Sequence, residues 1–191
     1  MYAGNKNDYY FKSFIFGKKG VGRSTFAKSP YFLSFMDNDI ISGIYFCTND
    51  YSFDSSNEYN YVKLQIWCLN PESRFKHLFS SYIKGSNAIF IMFDVSDLTS
   101  LKEIDSWMEV IREQYKPEYN IPIMLLGNKA DLTEHLESAK ALADSLVKKH
   151  GLMGYYEISV LDSTNLDLTL RTMAETLLQK FKPNWKRDSK A

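Results

Sequence analysis

The sequence predicts an α/β domain with a mostly parallel central sheet of about six strands flanked by helices. Three observations carry this. Strand-like and helix-like stretches alternate along the chain. Two short runs, Ala88–Asp94 and residues 121–126, are almost wholly apolar and bounded by polar residues, as strands buried on both faces of a parallel sheet must be. A glycine-rich turn follows the first strand-like stretch directly.

Taken in order, residues 9–16 are rich in aromatics and end at Gly17, which makes them the first strand. A short helix is expected near Ser24. Between residues 37 and 60 the text is irregular and polar, with room for one strand around 43–47. Residues 61–67 alternate as a half-buried strand does, and 155–159 supply the last strand. Three amphipathic helices stand out. Leu101, Ile104, Met108, Ile111 and Tyr115 fall at helical spacing behind Ser100-Leu101-Lys102-Glu103, a capping-box pattern. Leu136, Ala139, Ala143, Leu146 and Val147 mark the second, stopped by Gly151. Leu166, Leu170, Met173, Leu177 and Phe181 mark the third, with Asn165 as its N-cap. Each stripe faces the core in this reading. The expected organisation is an N-terminal extension over 1–8, one domain over 9–182, and a loose, mildly basic tail over 183–191.

Composition narrows the function. With 23 Lys and Arg against 23 Asp and Glu, nothing points to nucleic acid or an anionic surface as partner. Two cysteines cannot form a disulfide framework, so a reducing compartment is expected. No apolar run is long enough to span a bilayer, and a cytoplasmic location is the expectation. His77, His135 and His150 are dispersed and show no metal-ligand spacing.

Residues 17–25 read Gly-Lys-Lys-Gly-Val-Gly-Arg-Ser-Thr. The phosphate-binding loop pattern is G-x-x-x-x-G-K-[ST] between a strand and a helix, which makes the expected class a P-loop NTPase domain. Gly17, Gly20 and Gly22 let the backbone wrap tightly, so that amides over Val21 to Thr25 face phosphate oxygens. Ser24 offers a hydroxyl to Mg²⁺. Arg23 stands at the lysine place and keeps the charge, but as a larger planar fork.

After the apolar run 121–126 comes Gly127-Asn128-Lys129-Ala130-Asp131. A carboxylate here can accept two hydrogen bonds from the N1–H and exocyclic amine of guanine, which adenine does not supply. N-K-x-D about a hundred residues after a P-loop resembles the Ras/Rab-like small GTPase family, and the likeness runs from about residue 9 to 181. Leu64-Gln65-Ile66-Trp67, Arg74-Phe75 and residues 91–97 match further stretches of that family. The resemblance implies GTP or GDP as ligand, Mg²⁺ as cofactor, and effector or regulator proteins as partners through the switch regions. It implies that Asn128 ties loops together, that Asp131 binds the base, and that the Lys129 stem packs along the ring. It also implies that Ser159 and Val160 belong to the last guanine-contacting loop and that Phe35 stacks on the base. The family's C-terminal cysteine is missing from the closing residues, so no C-terminal lipid anchor is expected.

The family's second switch reads W-D-T-A-G-Q-E-R-F, and here residues 67–75 read Trp-Cys-Leu-Asn-Pro-Glu-Ser-Arg-Phe. Cys68 replaces the aspartate that orients the Mg²⁺ water shell, and a neutral thiol is a poor partner for a hard cation. Pro71 replaces the glycine whose N–H senses the γ-phosphate, and proline has no N–H. Glu72 stands where glutamine would orient the attacking water, and an ionised carboxylate has no donor to offer. In the first switch the family's T-I-G is matched by Ile41-Ser42-Gly43, or, counted from the P-loop, Ser42 takes the threonine place. The Ser42 hydroxyl can reach Mg²⁺, whereas Ile41 has none to offer. The reading that follows is a guanine-nucleotide-binding protein with weak or absent hydrolysis and impaired switching. Two alternatives stand beside it: an active GTPase in which Glu72 or a partner completes the site, and a nucleotide-free interaction scaffold.

Overall fold

The computed structural model describes residues 5–34, 44–55, 58–69, 81–132 and 136–185. In chain order the elements are β1 (Asn5–Phe16), α1 (Arg23–Lys28), β2 (Leu33–Ser34), β3 (Ile44–Ser55), β4 (Glu58–Leu69), β5 (Ala88–Asp94), α2 (Ile104–Gln114), β6 (Ile123–Asn128), α3 (Leu136–His150), β7 (Gly154–Glu157) and α4 (Leu166–Phe181). They form one sheet in the order β2-β3-β4-β1-β5-β6-β7. β1 pairs parallel with β4 and β5, and β5-β6-β7 continue in parallel. β3 joins β4 antiparallel from Ile44 opposite Leu69 to Ser55 opposite Glu58, and the two-residue β2 caps that edge as the seventh strand.

The expected α/β class is therefore observed, and the apolar runs behave as their composition requires. β5 and β6 are buried at every position because helices cover both faces. On one face α1 and α4 pack through Phe26, Leu170, Met173 and Leu177 against Ile15, Leu64 and Phe90. On the other, α2 and α3 bring Ile104, Trp107, Met108, Ala139 and Ala143 onto Phe16, Ile91 and Leu125. The aromatic-rich composition serves this core: Phe26 meets Phe32 at 4.6 Å and Phe16 meets Trp107 at 5.2 Å between ring centroids.

Four local expectations are corrected. The first strand starts at Asn5 rather than 9, because residues 5–8 pair with residues 58–61 of β4 instead of extending from the domain. Ser100 is not an N-cap. Residues 98–103 form a 3₁₀ turn capped by Asp97, whose carboxylate accepts from the Thr99 amide at 3.0 Å, while the buried Ser100 hydroxyl donates to the Asp97 carbonyl at 2.6 Å. Asn165 does occupy the N-cap of α4, but at φ 57° its amide nitrogen donates to the Glu157 carbonyl at 2.9 Å and caps nothing. Finally, the chain does not come loose at Pro183: Trp185 is 4% exposed and meets Phe53 edge-on at 5.8 Å. Lys182 supports that return by pairing with Glu58. Gly151 acts as expected, taking φ 67° after α3 while Leu152 N–H closes onto the Val147 carbonyl at 3.0 Å.

This topology places the carboxyl ends of β1, β5, β6 and β7 along one rim. Strand order reverses around β1, and such a switch point opens a crevice where ligands of open α/β sheets bind.

Candidate nucleotide-binding site

The glycine-rich loop leaves β1 across the end of β5. A Cβ on Gly17 would stand 2.3 Å from the Met92 carbonyl oxygen, so no larger residue fits there. Gly22 takes φ 103°, and a Cβ on it would lie 2.2 Å from the Asn128 amide nitrogen. Val21 is buried beneath the loop, whereas Gly20, Ser24 and Thr25 are exposed. Lys18 ties the loop's flank to the Asp97 turn, donating to Thr99 Oγ1 at 3.1 Å and lying 3.5 Å from Asp97. α1 has only six residues, so the expected cradle rests on the loop's own amides more than on a helix dipole.

The Arg23 side chain runs inward beneath the loop, where a Cβ on Gly17 would stand 3.3 Å from its Cδ. It is 4% exposed, and its Nη1 donates to the Leu69 carbonyl at 2.9 Å, at the end of β4. Its Nε is buried, with no hydrogen-bond partner among the described residues. Burial pushes its pKa down, against the pull of Cys68 and Glu103. Cys68 is 1% exposed, and burial pushes its thiol up to about 11 despite the neighbouring guanidinium, so it is neutral at pH 7. For Mg²⁺, the described donor set is thin. Ser24 offers one hard oxygen, Cys68 offers a neutral sulfur, and the described residues hold no cluster of three His, Cys, Asp or Glu. Of the two hydroxyls expected to reach Mg²⁺, that of Ser24 is exposed beside the loop, and Ser42 lies outside the described residues.

The base end is cross-tied. Asn128, closing β6 and 3% exposed, donates to the Val21 carbonyl at 2.8 Å and accepts from the Val160 amide at 3.1 Å. One side chain thus joins the glycine-rich loop, the N-K-x-D turn and the loop after β7. The Ala130 amide donates to the Ile158 carbonyl at 3.1 Å and locks the last two together. Ser159 donates its hydroxyl to Asp131 Oδ1 at 2.8 Å, holding the exposed carboxylate toward the rim. The Val160 amide, expected as a guanine contact, is engaged by Asn128, and Leu161 beyond it is 83% exposed. Lys129, at φ 68°, ion-pairs with Asp94 at the end of β5. Desolvation raises the Asp94 carboxyl, yet Lys129 and Ser96 outweigh it and hold it below the usual carboxylate range.

Two of these partners were not read from the sequence. Asp94 could have been found as the single acid closing an otherwise apolar strand. The Leu69 carbonyl carries no side-chain signal at all. Phe35, Ser42, Pro71 and Glu72 lie outside the described residues.

A mostly parallel sheet with a glycine-rich loop after β1 and N-K-x-D after β6, cross-tied at the carboxyl rim, defines a P-loop GTPase-type domain. Comparison with known proteins agrees. The family described as "Ras family" matches residues 12–179. "Ras-related protein RIC1" of Oryza sativa subsp. japonica is 33% identical over 175 residues, covering 87% of this chain and 80% of its own. "Ras-related protein RABD2a" of Arabidopsis thaliana is 32% identical over 181 residues, covering 91% and 83%. "Ras-related protein Rab-13" of Mesocricetus auratus is 30% identical over 179 residues, covering 91% and 82%. The chain belongs to the Ras family as a Ras/Rab-like small GTPase.

Proposed function

We propose that this chain binds guanine nucleotide and acts through protein partners, with weak or absent hydrolysis and poor discrimination of GTP from GDP. The observation that carries the reading is a contrast within one crevice. Asn128, Asp131 and Ser159 are hydrogen-bonded into a fixed base-reading set, while position 68 holds a buried neutral thiol where the family's magnesium-orienting carboxylate belongs. The residue identities after β4 support the same reading. Pro71 has no amide with which to sense a γ-phosphate, and Glu72 has no donor for an attacking water. Among partners, effector or regulator proteins fit a half-buried aromatic row, where Trp67 meets Phe46 at 5.1 Å and Tyr82 at 6.2 Å.

The test is a titration with GDP, a non-hydrolysable GTP analogue and ATP, with and without Mg²⁺. The reading expects guanine selectivity, GDP and GTP-analogue affinities within about threefold of each other, and little Mg²⁺ dependence. Single-turnover GTP hydrolysis at an ordinary family rate would sink the non-catalytic part. Failure to bind any nucleotide would leave the fold as a scaffold.

A further inference from the structure

We propose that Lys18 is a positioning residue for nucleotide binding. It tethers the glycine-rich loop to the turn at Asp97 and Thr99, and that tether sets the loop's shape before the ligand arrives. This rests on the nucleotide reading above and deepens it. Lys18 is not the residue at the lysine place of the loop pattern, which is Arg23. Its ammonium is engaged within the protein, donating to Thr99 Oγ1 at 3.1 Å and lying 3.5 Å from Asp97 Oδ2. The loop has little stiffness of its own. Gly20 and Gly22 take φ 94° and 103°, and no atom lies within 4 Å of where a Cβ on Gly20 would stand. One flank is held by Asn128, which donates to the Val21 carbonyl at 2.8 Å. Lys18 holds the other.

The turn that Lys18 reaches is a firm post. Asp97 Oδ1 accepts from the Thr99 amide at 3.0 Å and from its hydroxyl at 2.6 Å. The buried Ser100 hydroxyl donates to the Asp97 carbonyl at 2.6 Å and accepts from the Asp94 amide at 3.0 Å. Having given its proton to Asp97, the Thr99 hydroxyl keeps a lone pair for the ammonium, so Lys18, Thr99 and Asp97 form one connected set. A loop fixed in advance loses less freedom when it closes on a ligand, and the saving appears as slower release.

The test uses the full chain and measures the dissociation rate of a fluorescent GDP chased with unlabelled GDP. Lys18 and Asp97 are each at least a third exposed and Thr99 is exposed, so substitutions there leave the core intact. In Lys18→Ala release quickens about three- to fivefold, the worth of one half-exposed charged contact. Lys18→Arg stays within about twofold of wild type, because a guanidinium also reaches a carboxylate. The double variant Asp97→Asn/Thr99→Val keeps the amide-capping oxygen and the side-chain shape but removes the charge and the hydroxyl that hold Lys18. It quickens release as Lys18→Ala does, and adding Lys18→Ala to it brings no further increase.

Unchanged release in Lys18→Ala overturns the tether. So does slower or unchanged release in the double variant, which would mean that the ammonium acts on the ligand itself. Additive effects in the triple variant overturn it as well. If wild type binds no guanine nucleotide, the nucleotide reading alone has failed, and hydrogen exchange of the Val21 amide in the free protein decides. Faster exchange in both Lys18→Ala and the double variant supports the tether, and exchange at the wild-type rate in either overturns it.

Discussion

The two ends of the crevice are built from loops at the same sheet rim, yet they are satisfied to different degrees. At the base end each partner has its complement: Asn128 answers Val21 and Val160, Ser159 answers Asp131, and Lys129 answers Asp94. At the phosphate end a buried guanidinium holds one carbonyl, leaves Nε unpaired among the described residues, and sits beside a neutral thiol. Low dielectric sharpens this contrast, because it strengthens a completed hydrogen bond and penalises an incomplete one. Two loops at one rim can thus differ in how completely their buried polar groups are paired.

The largest test of the contrast is Asn128→Ala. It leaves the Val21 carbonyl and Val160 amide without their partner, so a loss of about 2–4 kcal/mol is expected in chemical denaturation. An effect under about 0.5 kcal/mol would mean the base end is not the rigid one. Asp131→Ala comes next. It removes an exposed carboxylate and takes the acceptor from the buried Ser159 hydroxyl, so stability should fall by about 1 kcal/mol while guanine preference over adenine falls about 10- to 100-fold in competition titrations. Unchanged preference would remove Asp131 from base reading.

Cys68→Asp probes the other end. A carboxylate beside Arg23 is a far better counter-charge and a harder ligand sphere, so the Mg²⁺ dependence of GDP affinity should rise about tenfold. No gain would place the defect elsewhere than position 68.

The smallest effect concerns acid. The Asp94 pKa is depressed in the folded protein, so its contribution to stability is present above the unfolded value near 4 and is lost as pH falls through the lower folded value. Asp94→Asn should cost less than about 1 kcal/mol at neutral pH and flatten the decline in stability as pH falls below about 4. Urea melts across that range would check it, and an unaltered acid limb would dismiss the Lys129–Asp94 pair as a stabilising element.

Much of this was legible in residues alone, for local reasons. The runs 88–94 and 123–128 are apolar because central parallel strands are covered on both faces, and their type could be read directly. Gly17, Gly22 and Asn128 could be placed because backbone freedom and donor and acceptor chemistry at fixed spacing decide where they sit. The length of β1 was not legible, since residues 5–8 carry no strand pattern of their own and pair only because β4 runs beside them. The same holds for Trp185, whose burial depends on Phe53 far away in the chain.

The sequence by itself determined the class of fold, the positions of the two loops and the residue types that stand at 68, 71 and 72, because each is a property of a residue or a short spacing. The tertiary structure decided the pairings: Asn128 with Val21 and Val160, Lys129 with Asp94, and Arg23 with Leu69. The Arg23 pairing shows the reason most plainly. Its acceptor is a main-chain carbonyl 46 residues away, identical in every residue type, and only the parallel alignment of β1 with β4 brings it within reach.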